Sequence, residues 1–175
     1  MAGRTTSLLL AGVLATGGSA SADGITTLAK VDRINWLLLT TDPLHPESGQ
    51  QCALSGVTPP EDLGQALRRL GFPTVVDIAD DPDFLLPTFT LYAAAERVPG
   101  TPARCAISAY ATLEMPAPNA EFGFPRVVLW QTPMAVAAVE TGDDQPGSMV
   151  RYTLQGMIEV MALGFIGTWQ TTRGQ

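Results

Sequence analysis

From Cys105 to Met115 the chain alternates without a break. Cys105, Ile107, Ala109, Ala111, Leu113 and Met115 fall on one parity, and Ala106, Ser108, Tyr110, Thr112 and Glu114 on the other. Successive side chains of a strand point to opposite faces of the sheet. The pattern therefore sets one apolar face against a core and leaves the other wet or lightly covered. Such a strand is not stable alone. It requires neighbouring strands and an apolar layer packed on one side.

The neighbouring strands are legible on both sides. Phe89, Leu91, Ala93 and Ala95 alternate with Thr90, Tyr92, Ala94 and Glu96, and Val98-Pro99-Gly100-Thr101-Pro102 closes a hairpin. After a loop at Pro116 to Pro125, the run Arg126 to Val139 is a further strand. Pro133 interrupts it, which predicts a bulge or an edge position. Earlier, Ile25 to Thr41 suits one long or bent strand through Thr26, Thr27, Val31, Ile34 and Trp36. Leu28, Val31, Asn35 and Leu38 in the same stretch also match a helical stripe. Phe72 to Ile78 is a short extended piece.

Two helices supply the cover. Thr58, Pro59 and Glu61 form a T-x-x-E capping box with proline at N1. Leu63, Leu67 and Leu70 then share one face, Arg68 and Arg69 complement the macrodipole, and Gly71 stops the helix. The final segment, Ser148 to Gln170, carries a stripe of Val150, Leu154, Met157, Ile158, Met161, Phe165 and Trp169. Tyr152, Val160 and Leu163 widen it. Arg151, Gln155 and Glu159 recur every four positions and argue against a membrane span.

The expected architecture is α/β (α+β): a two-layer sandwich with a mixed sheet of about four strands. Its order is strand-helix-strand-strand-strand-helix, with both helices on one face. A strand–helix–strand unit in one sheet makes its strands parallel, and the later strands run antiparallel.

Residues 1–22 read as a secretory signal peptide. Arg4 lies in a short n-region, Ser7 to Gly18 is an apolar core too short to span a bilayer, and Ser19-Ala20-Ser21-Ala22 ends in an A-x-A cleavage pattern. No cysteine follows the apolar core, so the sequence does not support a lipoprotein anchor. Residues 23–175 then form a single α/β domain that is periplasmic or secreted, with Asp23 at its start. The net charge of −7 disfavours nucleic acid and anionic membrane surfaces. In an exported chain the two cysteines, Cys52 and Cys105, predict a disulfide. With the first two strands parallel, both cysteines sit at one end of the sheet.

Three features carry a resemblance: the Cys52-Ala-Leu-Ser-x-x-Thr58 approach to the first helix, the L-x-x-A-L-x-x-L-G-F run from Leu63 to Phe72, and the alternating hairpin followed by a strand around Trp130 and an apolar C-terminal helix. Together they resemble small exported bacterial proteins without an assigned activity. The layout is similar to the small α/β domain at the N-terminus of the Tol-system protein TolB. The resemblance implies an envelope-associated, non-catalytic role and transfers no active-site residues.

Catalytic constellations are sparse. His45 is the sole histidine, in a polar loop between Pro43 and Pro46, and reads as a solvated loop residue. One imidazole and two paired cysteines do not make a zinc site. Asp77, Asp80, Asp81 and Asp83 are oxygen donors of the type calcium takes, but lack the D-x-D-x-D-G spacing. They and Asp143-Asp144 read as turn residues. Glu96 and Glu114 share the outward face of the hairpin and, with the aspartates, are the groups from which a glycosidase-type pair could come; surface carboxylates on adjacent strands are the default reading. Tyr92 and Tyr110 share that face. Phosphate-binding glycine motifs are absent.

The sequence thus assigns no catalytic, cofactor-binding or metal-binding residue, and no cofactor. It predicts a non-enzymatic exported domain with an envelope protein as partner, without membrane insertion of the mature chain. A small carboxylate-based hydrolase and a small-ligand carrier with a cavity under the C-terminal helix stand as alternatives.

Overall fold

The computed structural model describes residues 27–41, 52, 54, 60–77, 86–101, 104–116, 126–140 and 148–174. In chain order the elements are β1 (Arg33–Thr41), α1 (Pro60–Arg69), β2 (Thr74–Asp77), β3 (Thr88–Arg97), β4 (Arg104–Pro116), β5 (Arg126–Gln131), β6 (Ala135–Glu140) and α2 (Ser148–Thr172). Among the described residues the sheet has six strands in the order β2-β1-β3-β4-β5, with β6 also paired to β4. β1 is parallel to both β2 and β3, and the later pairs are antiparallel. The class is the expected α+β, with two more strands than the sequence pattern separates.

The alternation on β3 and β4 translates directly into burial. Phe89, Leu91, Ala93 and Ala95 face the helices with Cys105, Ile107, Ala109, Ala111 and Leu113, and all nine are buried. Ile34 and Trp36 of β1 join them.

Two expectations change in detail. The segment before β1 is not a continuous strand. A helical turn at Thr27–Leu28 is closed by bonds from Lys30 N–H to the Thr27 carbonyl and from Val31 N–H to the Leu28 carbonyl, both 3.1 Å. Leu28 and Val31 are both buried, and a strand would send residues three apart to opposite faces. Ile25 and Thr26 lie outside the described residues.

The run Arg126 to Val139 divides at Pro133 into β5 and β6, which share the same edge of β4. At the break, Thr132 N–H donates to the Ala111 carbonyl at 2.9 Å, and the Thr132 hydroxyl accepts from Ala111 N–H at 2.8 Å. A side-chain oxygen thus replaces a ladder carbonyl where proline cannot continue the strand. A register shift opposite Leu113/Glu114 makes Leu129 the extra residue of a bulge, and both Leu129 and Trp130 are buried.

α1 ends as expected. Gly71 has φ 90°, Phe72 N–H donates to the Leu67 carbonyl and Gly71 N–H to the Arg68 carbonyl, each at 3.0 Å. These are the two bonds of a Schellman cap. Thr58 and Pro59 of the predicted N-terminal cap, and the Glu61 side chain, lie outside the described residues. Inside α1, Gly64 lies flat on Trp36: a Cβ there would sit 3.1 Å from the indole Nε1. α2 covers β3 and β4 beside α1. Phe165 is its central knob, with ring centroids 5.2 Å from Phe89, 5.3 Å from Trp130 and 5.5 Å from Phe72.

Cys52 and Cys105 form a disulfide across 53 residues, with Cα atoms 5.7 Å apart, at the end of the sheet where β1 and β3 both finish. Among the described residues no helix is long and apolar enough to cross a membrane.

Candidate functional site

α2 presents two apolar faces. The inward one is Val150, Leu154, Ile158, Met161, Ala162, Phe165, Ile166 and Trp169, all buried. The outward one is Met149, Tyr152, Val160 and Leu163, at 36%, 69%, 55% and 54% exposure. Gly156 and Gly167 complete the outward row. Its successive spacings of three or four residues match the 3.6-residue turn, so all six line one side of the helix. Tyr152, Val160 and Leu163 therefore do extend the apolar surface, but on the side facing solvent rather than the core. A contiguous apolar strip of this kind on a surface helix marks an interaction site more often than an isolated exposed leucine does.

The polar edge of α2 lies along α1. Gln155 and Glu159 line a shallow groove with Gln65 and Arg69. Arg69 and Glu159 pair across it at 3.4 Å, both well exposed, so the bridge adds little stability.

The sheet face away from the helices is built differently. Tyr92 and Tyr110 are direct cross-strand partners, stacked at 4.6 Å with rings 11° from parallel. Beside them the Thr112 hydroxyl donates to the Glu114 carboxylate at 3.0 Å, and Arg126 Nε lies 3.3 Å from the same group. Burial pushes the Tyr92 phenol above its ordinary pKa of 10.0, reinforced by the Glu114 charge and then by Tyr110. Thr88, Thr90 and Thr112 are buried on this face, which the sequence pattern assigns to its wetter side.

Glu96 and Glu114 do not come together, in keeping with their default reading as separate surface carboxylates. Glu96 is registered to Ala106, whereas Glu114 is registered to Thr88. Eight residues of strand separate the two levels, about 26 Å at 3.3 Å per residue, far beyond the roughly 5–10 Å of a glycosidase pair. Between sheet and α2, at the level of Phe165, the rings of Phe89, Trp130 and Phe165 pack together with centroids 5.2–5.8 Å apart. Among the described residues no group of three or more His, Cys, Asp or Glu gathers as metal ligands would. His45, Asp80, Asp81, Asp83, Asp143, Asp144 and the Asp77 side chain lie outside the described residues.

Sequence patterning marks Tyr152, Val160 and Leu163 as apolar beyond the core stripe, and the structure shows that they are the part left uncovered. A further signal of the outward row was present in the glycines: Gly156 and Gly167 recur with Tyr152 and Val160 on one helical line. Periodicity alone does not say which of two apolar lines meets the core.

No family model matches the chain, and no curated protein matches it in sequence. Among solved structures it is similar to the rare lipoprotein B from Shewanella oneidensis, with 13% identity, covering 80% of this chain and 96% of that one. The TM-score is 0.36, which does not establish a common fold.

Proposed function

We propose that this chain is a non-enzymatic, exported, envelope-associated domain that docks another protein chain through the outward face of α2. One observation carries the reading: Met149, Tyr152, Val160 and Leu163 form an exposed apolar row on a helix whose opposite face already fills the core. The hydrophobic effect favours covering such a row, at about 25 cal/mol per Å² of apolar surface removed from water. The signal-peptide pattern of residues 1–22 and the Cys52–Cys105 disulfide support an oxidising compartment outside the cytoplasm.

The test is site-specific photo-crosslinking in cells that export the chain. A photoreactive side chain at Leu163 should yield a discrete covalent protein adduct. The same probe at Ala138, exposed on β6 and on the sheet face turned away from the helices, should not. No adduct at Leu163, or equal labelling at both sites, would remove the reading.

A further inference from the structure

We infer that the partner of this face is the same face of a second copy, with the two α2 helices antiparallel. The inference rests on the docking reading above and names its occupant.

The glycines come first. Glycine in a helix interior is less favourable than alanine by roughly 0.5–1 kcal/mol, so an exposed one calls for a reason. Gly64 has its reason within the chain, because Trp36 leaves no room for a Cβ. Gly156 and Gly167 have none: a Cβ at either would meet nothing within 4 Å. At Gly164 an added Cβ would make only an ordinary contact, 4.0 Å from Trp130. What such positions permit is close approach of another helix, at the short end of the 8–10 Å range.

The register of sizes then selects the occupant. Let an antiparallel copy place Val160 opposite Gly156. The same register places Tyr152 opposite Gly164 and Met149 opposite Gly167. Leu163 falls opposite Thr153. Each large side chain on one helix meets a small residue on the other, and two-fold symmetry makes every contact occur twice. Val160–Gly156 and Met149–Gly167 pair within the row itself, and Gly164 and Thr153 at its margin receive Tyr152 and Leu163.

Charge permits the pairing. The row contains no ionisable side chain at neutral pH, and Glu159 at its margin is already paired with Arg69. A chain of net charge −7 repels its copy through most of its surface and least through a neutral strip. The extent points to a weak pairing. Met149 to Gly167 spans about 27 Å at 1.5 Å per residue, so a strip about 10 Å wide gives roughly 270 Å² per copy, about a third of the ~800 Å² per partner of a standard interface, with Gln155, Glu159 and Gln65 as rim.

The experiment is sedimentation equilibrium of the purified, disulfide-bonded chain from about 1 µM to about 1 mM, which spans weak to moderate affinities. The expected result is a mass rising from one copy to two. Gly156→Leu should hold the chain at one copy across the range while its thermal midpoint stays level or rises, since the monomer has room for the side chain. Leu163→Glu should do the same. A wild-type chain that stays at one copy throughout, or a two-copy species indifferent to both substitutions, overturns the pairing. The Leu163 crosslink separates the two proposals. An adduct composed only of this chain supports self-pairing. An adduct with a different protein overturns self-pairing and leaves the docking reading standing. Absence of any adduct removes both.

Discussion

Trp169 Nε1 donates a 2.7 Å hydrogen bond to the carbonyl of Val31, a residue 138 positions earlier in the chain. Both residues are buried. The bond ties the end of α2 to the turn that leads into β1. The same indole packs against Phe72 at 5.0 Å and lies under the Arg173 guanidinium at 4.6 Å. Trp169→Phe keeps an aromatic ring but leaves the Val31 carbonyl without this donor. The expected loss is about 1–3 kcal/mol, the usual penalty for orphaning a buried polar group. It should be read as a lower midpoint in urea with an unchanged far-ultraviolet circular dichroism spectrum.

The disulfide closes a long loop, so its removal should act mainly on the unfolded chain. Paired Cys52→Ala and Cys105→Ala substitutions are expected to cost about 2–4 kcal/mol. Since both sulfurs are buried, reduction of the native protein should require opening of that end of the sheet. Thiol labelling under reducing conditions should therefore accelerate with denaturant.

Gly64→Ala should destabilise, against the ordinary helix preference for alanine. The new methyl would sit 3.1 Å from the Trp36 Nε1 and 3.4 Å from its Cε2. Trp36 is 5% exposed and held between sheet and helix, so it has little room to retreat. Overpacking of about 1–3 kcal/mol exceeds a propensity gain of at most about 1 kcal/mol. Thermal unfolding of the variant checks the sign.

Alkaline pH should weaken the fold partly through Tyr92. Burial, Glu114 and Tyr110 raise its pKa above 10.0, so the folded chain keeps a proton that the unfolded chain has lost. Whatever stability the neutral phenol contributes is fully present below pH 10.0 and is lost as pH rises through the folded value. Tyr92→Phe should flatten that part of the stability profile and remove one high-titrating phenol from the near-ultraviolet phenolate titration.

The parts of the fold written in local chemistry were legible. The two-residue period of Cys105 to Met115 identified a strand and its buried face, and Gly71 marked the end of α1 because few other residues adopt its backbone angle without strain. Parallel placement of the first strands put Cys52 and Cys105 at one end of the sheet. Other features depended on distant residues. The break between β5 and β6 is stabilised by Thr132 bonding to Ala111, 21 residues away, and Pro133 announces only that some break exists. Leu28 and Val31 fit a strand by propensity until burial on one side requires a turn. The candidate site was half visible: Tyr152, Val160 and Leu163 stood out as apolar, but only the packed core shows that they point away from it. The proximity suggested for Glu96 and Glu114 failed because sharing a face says nothing about position along it.

The span of the Trp169–Val31 bond also bears on the order in which the chain can reach its final state. β3 and β4 emerge before α2, the helix that covers them. Until α2 arrives, Phe89, Ile107, Ala109 and Leu113 form an open greasy floor on the sheet. A chain cut short before its last helix would keep the sheet pattern but present that floor to proteases and to other chains. Burial of that floor therefore depends on α2, the last element in chain order.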